Sequence, residues 1–223
     1  MSNAVADGFL GKNPCSKKLA PPMGESKTYV ITTEQVWQLH DEMPDHLQVA
    51  VLLGAFCGLR VAEVAGLRVA DVDFMRCVVK VKQQWGDQPL KSDDSKADIP
   101  IPRDLANMLN ASVQKYPSEF MVTAGHGTER CGPWLIQRAI RRVKDQIEGV
   151  PEEFSFHDLR HHYASLLISS GENVKTVQKR MRHASARTTL DIYAHLWPGE
   201  DESTRTAVGA AIMQRSAQRD RAQ

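Results

Sequence analysis

Apolar positions recur at helical spacing at the start of the chain, alternate briefly in its first half, and are helical again throughout the second half. Residues 34–42 carry the first helical run. Thr32 or Thr33 stands where a cap belongs, and Pro44 closes the run. Residues 47–56 are apolar on nearly every side, as a buried helix requires, and the run stops near Gly58. A short helix is predicted over 60–67. Alternation through Cys77, Val79 and Val81 marks a strand, and Gly86 and Pro89 mark a loop. Ser92-Asp93-Asp94 should then turn the chain back into an antiparallel strand over 97–101. Beyond Pro102 the pattern predicts helices over 103–115, 133–148, 156–169, 174–182 and 188–195, then an amphipathic helix over roughly 203–218. No repeat is visible. The class is mainly α with one small antiparallel β-sheet.

Gly11, Asn13-Pro14 and Pro21-Pro22 punctuate the first residues. Residues 1–26 therefore read as an expression scar (Met1-Ser2-Asn3-Ala4) and a linker from an upstream domain, 27–198 as a folded domain, and 199–223 as a helical tail. With 223 residues, 42% of them apolar, the chain can bury one full core. A formal net charge of +1 argues against nucleic-acid binding only as an average. Arg138, Arg141, Arg142 and Lys144 cluster in one helical window, and Lys175, Lys179, Arg180, Arg182 and Arg187 in another. Taken alone these are solvated helix faces. The four cysteines lack any Cys-x-x-Cys spacing, and Cys57 and Cys77 read as reduced core residues, which suits a cytoplasmic protein. No apolar stretch reaches membrane-spanning length, and no signal peptide is expected.

Candidate chemistry gathers in three segments. Ser155-Phe156-His157-Asp158 fits a capping box, with Leu159, Tyr163, Leu166 and Leu167 on the core side of the helix that follows. His157 and His161 then face the other way and Arg160 lies at the boundary. His157 and Arg160 at a helix start could converge on a phosphate, and free amides and the helix dipole would help. Arg60 follows an apolar stretch, with Glu63 in reach. Spacing alone leaves open a structural ion pair or a guanidinium preorganised to grip phosphate oxygens. His157, His161, His162 and His183 invite a metal, but no His-Glu-x-x-His order exists and no cysteine or carboxylate completes a set. The reading is of no metal and no cofactor.

Taken in order, Gly58-Leu59-Arg60-x-x-Glu63, His157-x-x-Arg160, His183 and Tyr193 resemble the catalytic signature of the tyrosine recombinases, or phage-type integrases. The match runs from about Lys27 to Pro198. Its most specific parts are 157–165 and Thr188-Thr189-Leu190-Asp191-Ile192-Tyr193-Ala194-His195-Leu196, and the tail after Trp197-Pro198 is similar to integrases of actinobacterial phages and mobile elements. The resemblance implies the catalytic-domain fold of DNA breaking and rejoining enzymes, with Arg60, Lys91, His157, Arg160, His183 and Tyr193 as the catalytic set. Glu63 supports it by orienting Arg60 or the neighbouring histidine rather than by reacting. Lys91 takes the place of the family's hairpin lysine, with Lys82 a weaker candidate. Lys96, Arg187 and Arg182, the last standing where a glycine is commoner, are the implied DNA contacts.

The chemistry implied is attack of the Tyr193 hydroxyl on a scissile phosphate, giving a 3′-phosphotyrosyl link and a free 5′-hydroxyl. Only about a few per thousand of free tyrosine is ionised near pH 7.5, so its proton must leave during attack, to His157 or into the phosphate network. Arg60, Arg160 and His183 would hold the non-bridging oxygens, and Lys91 would protonate the leaving oxygen. The implied partners are double-stranded DNA at attachment-type sites and accessory proteins. A tetramer on DNA is also implied, with the tail stripe Val208, Ala211, Ile212 and Arg215 docking on a neighbouring protomer. Other readings are a non-catalytic DNA-binding regulator on the same scaffold, a type IB topoisomerase-like enzyme and, most remote, a metal hydrolase.

Overall fold

Two apolar helices that cross at a glycine organise the chain. The computed structural model describes residues 29–90, 98–125 and 129–197, with Gly8, Gly11 and, in the tail, positions 205, 206, 208–210, 212 and 213. Lys91, Lys96, the 92–94 turn and tail residues Ala211 and Arg215 lie outside the described residues.

Helix α1 (Thr33–Glu42) starts as predicted, in a box where Thr32 Oγ1 accepts from the Gln35 amide and Gln35 Oε1 accepts from the Thr32 amide. A 3₁₀ turn leads into α2 (Gln48–Cys57), which is buried along almost its whole length, as its composition requires. Gly58 ends α2 with φ 62°, a left-handed conformation that lets the chain reverse into α3 (Val61–Gly66). Strands β1 (Val72–Asp73), β2 (Val78–Lys80) and β5 (Asp98–Pro100) form an antiparallel sheet in the order β1-β2-β5, and Val79 faces Val72 on one side and Ile99 on the other. A second two-stranded sheet, β3 (Gln83–Gln84) with β4 (Gln88–Pro89), was not expected. Its glutamines carry no alternation to reveal it. Cys77 is half-buried in the turn before β2, at φ 55°, rather than a core strand residue.

The remaining helices are α4 (Arg103–Lys115), α5 (Pro133–Val143), α6 (Phe156–Ser169), α7 (Val174–Met181) and α8 (Ala186–Tyr193). The predicted 133–148 helix breaks at Val143 into a 3₁₀ turn, where the Lys144 ammonium turns inward to the Glu152 carbonyl. Helix α8 begins two residues earlier than expected because Ser185 caps it, its Oγ accepting from the Thr188 amide. Helix α6 departs furthest from its pattern. It is buried on more than one side, with Arg160 and His162 inside as well as Leu159 and Tyr163. His162 Nδ1 donates to the Ile31 carbonyl at 2.7 Å.

Helix α6 also joins two apolar clusters. Phe156 and Leu159 pack into the large core of α1–α5, and Tyr163, Ala164 and Ile168 pack with Val177, Met181 and Tyr193 into a smaller one. Gly54 permits the crossing, since a Cβ there would stand 2.8 Å from the Phe156 ring and 3.1 Å from Leu159. Gly58 lies under the Tyr163 ring, 2.4 Å from where a Cβ would sit. Among the described residues no helix is long and apolar enough to cross a membrane. Gly58→Ala should lower the unfolding free energy by roughly 2–5 kcal/mol, left-handed strain adding to overpacking. Urea denaturation checks it, and an unchanged midpoint would show that the α2–α6 crossing tolerates a side chain.

Candidate active site

The turn between α2 and α3 and the start of α6 bring the predicted residues together across about a hundred positions of sequence. Arg60 precedes α3 with its side chain half exposed, 41%. Glu63 is buried and clamps that turn. Its Oε2 accepts from the Arg60 amide at 2.8 Å and its Oε1 from Arg60 Nη1 at 2.9 Å. At the start of α6 the predicted box is present, with Asp158 Oδ2 accepting from the Ser155 amide at 2.8 Å. His157 is thereby held at the helix N-terminus, exposed at one edge.

Arg160 is not at a face boundary but 2% exposed, and donates to the carbonyls of Gly58 and Met181. It ties the end of α2 to the end of α7. Burial, then the Arg182 and Arg60 charges, draw its pKa down to about 9, so it stays charged at neutral pH. Arg182 also departs from its predicted role as a surface DNA contact. Its backbone caps α7 in the left-handed region, φ 51°, and its side chain has no exposed area. Nη2 donates to Glu63 Oε2 at 2.5 Å and to the Gly58 carbonyl at 3.1 Å, while Nε and Nη1 are buried without an acceptor. A buried guanidinium needs a partner, and Glu63, already holding Arg60, is the carboxylate within reach.

Two guanidiniums, Arg60 and Arg182, therefore share one buried carboxylate, and Arg160 stands near enough to feel its charge. Burial would raise the Glu63 pKa, but Arg182, the Arg60 amide and the Arg60 and Arg160 charges outweigh it and hold the carboxyl below its usual 4.5. Arg60, Glu63, His157, Arg182, His183 and Thr188 line an open cleft of about 650 Å³.

His183 follows the left-handed Arg182, and its Nδ1 lies 2.9 Å from Thr189 Oγ1 of α8. With that hydroxyl donating, Nε2 carries the ring hydrogen, and His183 is among the residues that line the cleft. Burial and the three arginines lower the His183 pKa to about 4, so the ring is neutral. His157 is also lowered, by partial desolvation and then by Arg160, against a partial offset from Asp158.

Tyr193 ends α8 and is 1% exposed. Its ring lies parallel to that of His183 at 6.5 Å between centroids, and its Oη stands 2.6 Å from His161 Nδ1. Burial raises its pKa well above the usual 10. Trp197 Nε1 donates to the Glu172 carbonyl and pins the chain just past the tyrosine.

The His161 contact escaped the sequence reading, which turned His161 away from the core along with His157. Its spacing of four from His157 suggested only a metal pair. The structure gathers Arg60, Glu63, His157, Arg160, His183 and Tyr193 at one place. Lys82 is engaged elsewhere, with Asp71 at 2.7 Å. Arg187 is exposed beside Asp191, at 3.5 Å. Among the described residues no three His, Cys, Asp or Glu side chains gather as metal ligands.

The phage integrase family model matches residues 29–199, a span that holds every one of these side chains. The chain belongs to the phage integrase family. Within that family it is 28% identical over 231 aligned positions to the XerC-like tyrosine recombinase of Caldanaerobacter subterraneus subsp. tengcongensis, covering 87% of this chain and 59% of that protein. It is 27% identical over 214 positions to the putative prophage phiRv2 integrase of Mycobacterium tuberculosis, covering 90% and 56%. The chain thus spans less than two thirds of the length of these relatives. Among solved structures it shares its fold with the Tn1549 transposon integrase in complex with transposon right end DNA. The TM-score is 0.69 at 18% identity, covering 97% of this chain and 75% of that one.

The lowered Glu63 pKa sets a pH dependence for this integrase-family chain. A carboxylate depressed by folding contributes stability above its unfolded pKa and loses it as pH falls through the folded value. Urea denaturation of wild type and Glu63→Gln should therefore diverge less at pH 3 than at pH 7. Stability differences that stay parallel across that range would remove Glu63 as the buried counter-charge.

Proposed function

We propose that this chain is the catalytic portion of a site-specific DNA recombinase, or integrase, which cleaves and rejoins DNA through a 3′-phosphotyrosyl intermediate. The observation that carries the reading is Tyr193 held near Arg160 in a cluster with Arg60 and Arg182, where Glu63 is the one carboxylate bonded to these guanidiniums among the described residues. A phosphodiester supplies the missing negative charge. In a five-coordinate transition state that charge grows, and preorganised donors bind it better than the ground state.

In the reaction, Tyr193 Oη bonds to phosphorus as the bond from phosphorus to the 5′-oxygen breaks. Arg60, Arg160 and His183 hold the non-bridging oxygens, and Glu63 holds Arg60 in place. Arg182 lies behind them with two free donor nitrogens. Lys91 is the proposed acid for the leaving 5′-oxygen. The phosphotyrosyl bond keeps the energy of the phosphodiester, so a 5′-hydroxyl of a second duplex reverses the step without ATP. No metal or cofactor is required.

The partner is double-stranded DNA at attachment-type sites, in keeping with the DNA-bound Tn1549 integrase. Lys96 and Arg187 are proposed DNA contacts. Assembly is proposed as a tetramer on DNA, with the tail docking in trans, and Val208 and Ile212, 53% and 62% exposed, suit that role. Accessory proteins would set direction, and the site of action would be the cytoplasm, at the bacterial nucleoid. A regulator that has lost catalysis is disfavoured by the intact Arg60, Arg160, His183 and Tyr193.

The test is trapping on nicked suicide duplexes with a pooled random core, in chelator and at low salt, where phosphate contacts are strongest. Wild type should yield a protease-sensitive covalent DNA band on a denaturing gel, and Tyr193→Phe none. DNA binding without any adduct would move the chain to the regulator reading.

A further inference from the structure

The tyrosine proton needs a destination, and the family resemblance pointed to His157 or the phosphate network. The structure puts a different ring there. His157 stands exposed at the mouth of the cleft, whereas His161, one turn further along α6, is half-buried with its Nδ1 2.6 Å from Tyr193 Oη. The two histidine rings meet edge to face at 4.8 Å, and of the two it is His157 that lines the cleft. Tyr193 lies between His161 and His183, and Thr189 already occupies Nδ1 of the latter.

We infer that His161 is a further catalytic residue, the base that takes the Tyr193 proton at Nδ1 during attack and returns it when the phosphotyrosyl bond is resolved. The inference rests on the recombinase reading above. It requires the tautomer with hydrogen on Nε2, so that the phenol donates to Nδ1. As Oη bonds to phosphorus, its O–H bond breaks toward Nδ1, and the 5′-oxygen leaves with a proton from a separate acid. On rejoining, the imidazolium returns the proton as the bond from Oη to phosphorus breaks.

The surroundings keep this ring unprotonated and so able to accept. Burial, His157 and Arg160 lower the His161 pKa to about 4, with Asp158 opposing them, so before DNA arrives the ring is neutral and free to accept. Burial holds the phenol un-ionised, and neither group reacts alone. A phosphate entering beside Arg160 and Arg60 offsets the charges that weaken the histidine, so its basicity rises as the electrophile is seated.

His161→Asn separates a base from a mere tether, because Asn Oδ1 takes the place of Nδ1 and accepts the hydrogen bond without holding a proton. On a duplex that wild type cleaves, single-turnover cleavage by His161→Asn should fall by about 10²–10³-fold, with DNA affinity unchanged. Placing a fluorinated tyrosine of lower phenol pKa at position 193 should recover most of that loss, since an acidic phenol needs less help from a base. If His161→Asn unfolds, His161→Gln is carried through the same pair of measurements. Cleavage within about threefold of wild type, or a loss that fluorotyrosine leaves untouched, overturns the inference while the recombinase reading stands. Absence of any wild-type adduct overturns both.

Discussion

A carbonyl and a carboxylate at one turn hold this molecule together. The Gly58 carbonyl accepts from both Arg160 and Arg182, and Glu63, five residues on, binds Arg60 and Arg182. Burying guanidiniums costs several kcal/mol each in desolvation, and partners of good geometry must offset it. The left-handed end of α2 supplies the carbonyl, the short α3 supplies the acid, and the close crossing at Gly54 brings α6 near enough to use them. Arg160 then fastens α2 to α7, and the left-handed Arg182 turns the chain into His183 and α8. Remove that turn and the histidine, the capping serine and the tyrosine lose their places together.

The same arrangement keeps Tyr193 quiet. Tyr193 sits in the smaller apolar cluster, un-ionised and out of solvent, while the half-exposed Arg60 stands on the open cleft with the other two guanidiniums buried behind it. Charge is in excess on one side and a proton is stored on the other. In the proposed reaction an entering phosphate relieves the first and draws on the second. Catalytic strength in that proposed reaction comes from donors fixed in advance, whose own cost is met by the fold rather than at the moment of reaction.

Much of this was legible in the sequence. The caps at Thr32 and Ser155, the run ending at Gly58 and the pairing of Arg60 with Glu63 follow from local chemistry, which acts within a few residues. The antiparallel pairing of 78–80 with 98–100 follows from alternation on either side of a turn signal. What escaped depended on distant contacts. Helix α6 looked one-sided because Arg160 and His162 are polar, yet the Gly58 and Ile31 carbonyls draw both inside. Arg182 looked like a surface cation among others, and only the carboxylate at position 63 makes it a buried one. The link from His161 to Tyr193 joins residues 32 apart in sequence, and no periodicity within α6 could indicate it. The β3–β4 pair lay hidden in glutamines.

The central claim is that the guanidinium cluster exists to hold the charge of a phosphate. The most direct test compares wild type and Arg60→Ala on a suicide duplex whose scissile phosphate is either natural or a neutral methylphosphonate, in single-turnover cleavage. Arg60 is half exposed, and Arg182 still pairs Glu63 in its absence, so the variant should fold. On the natural phosphate, Arg60→Ala should lose about 10²–10³-fold in rate. On the methylphosphonate, with one charge removed, most of that difference should vanish. An equal loss on both substrates would contradict the claim and reduce Arg60 to a scaffold for the turn it caps.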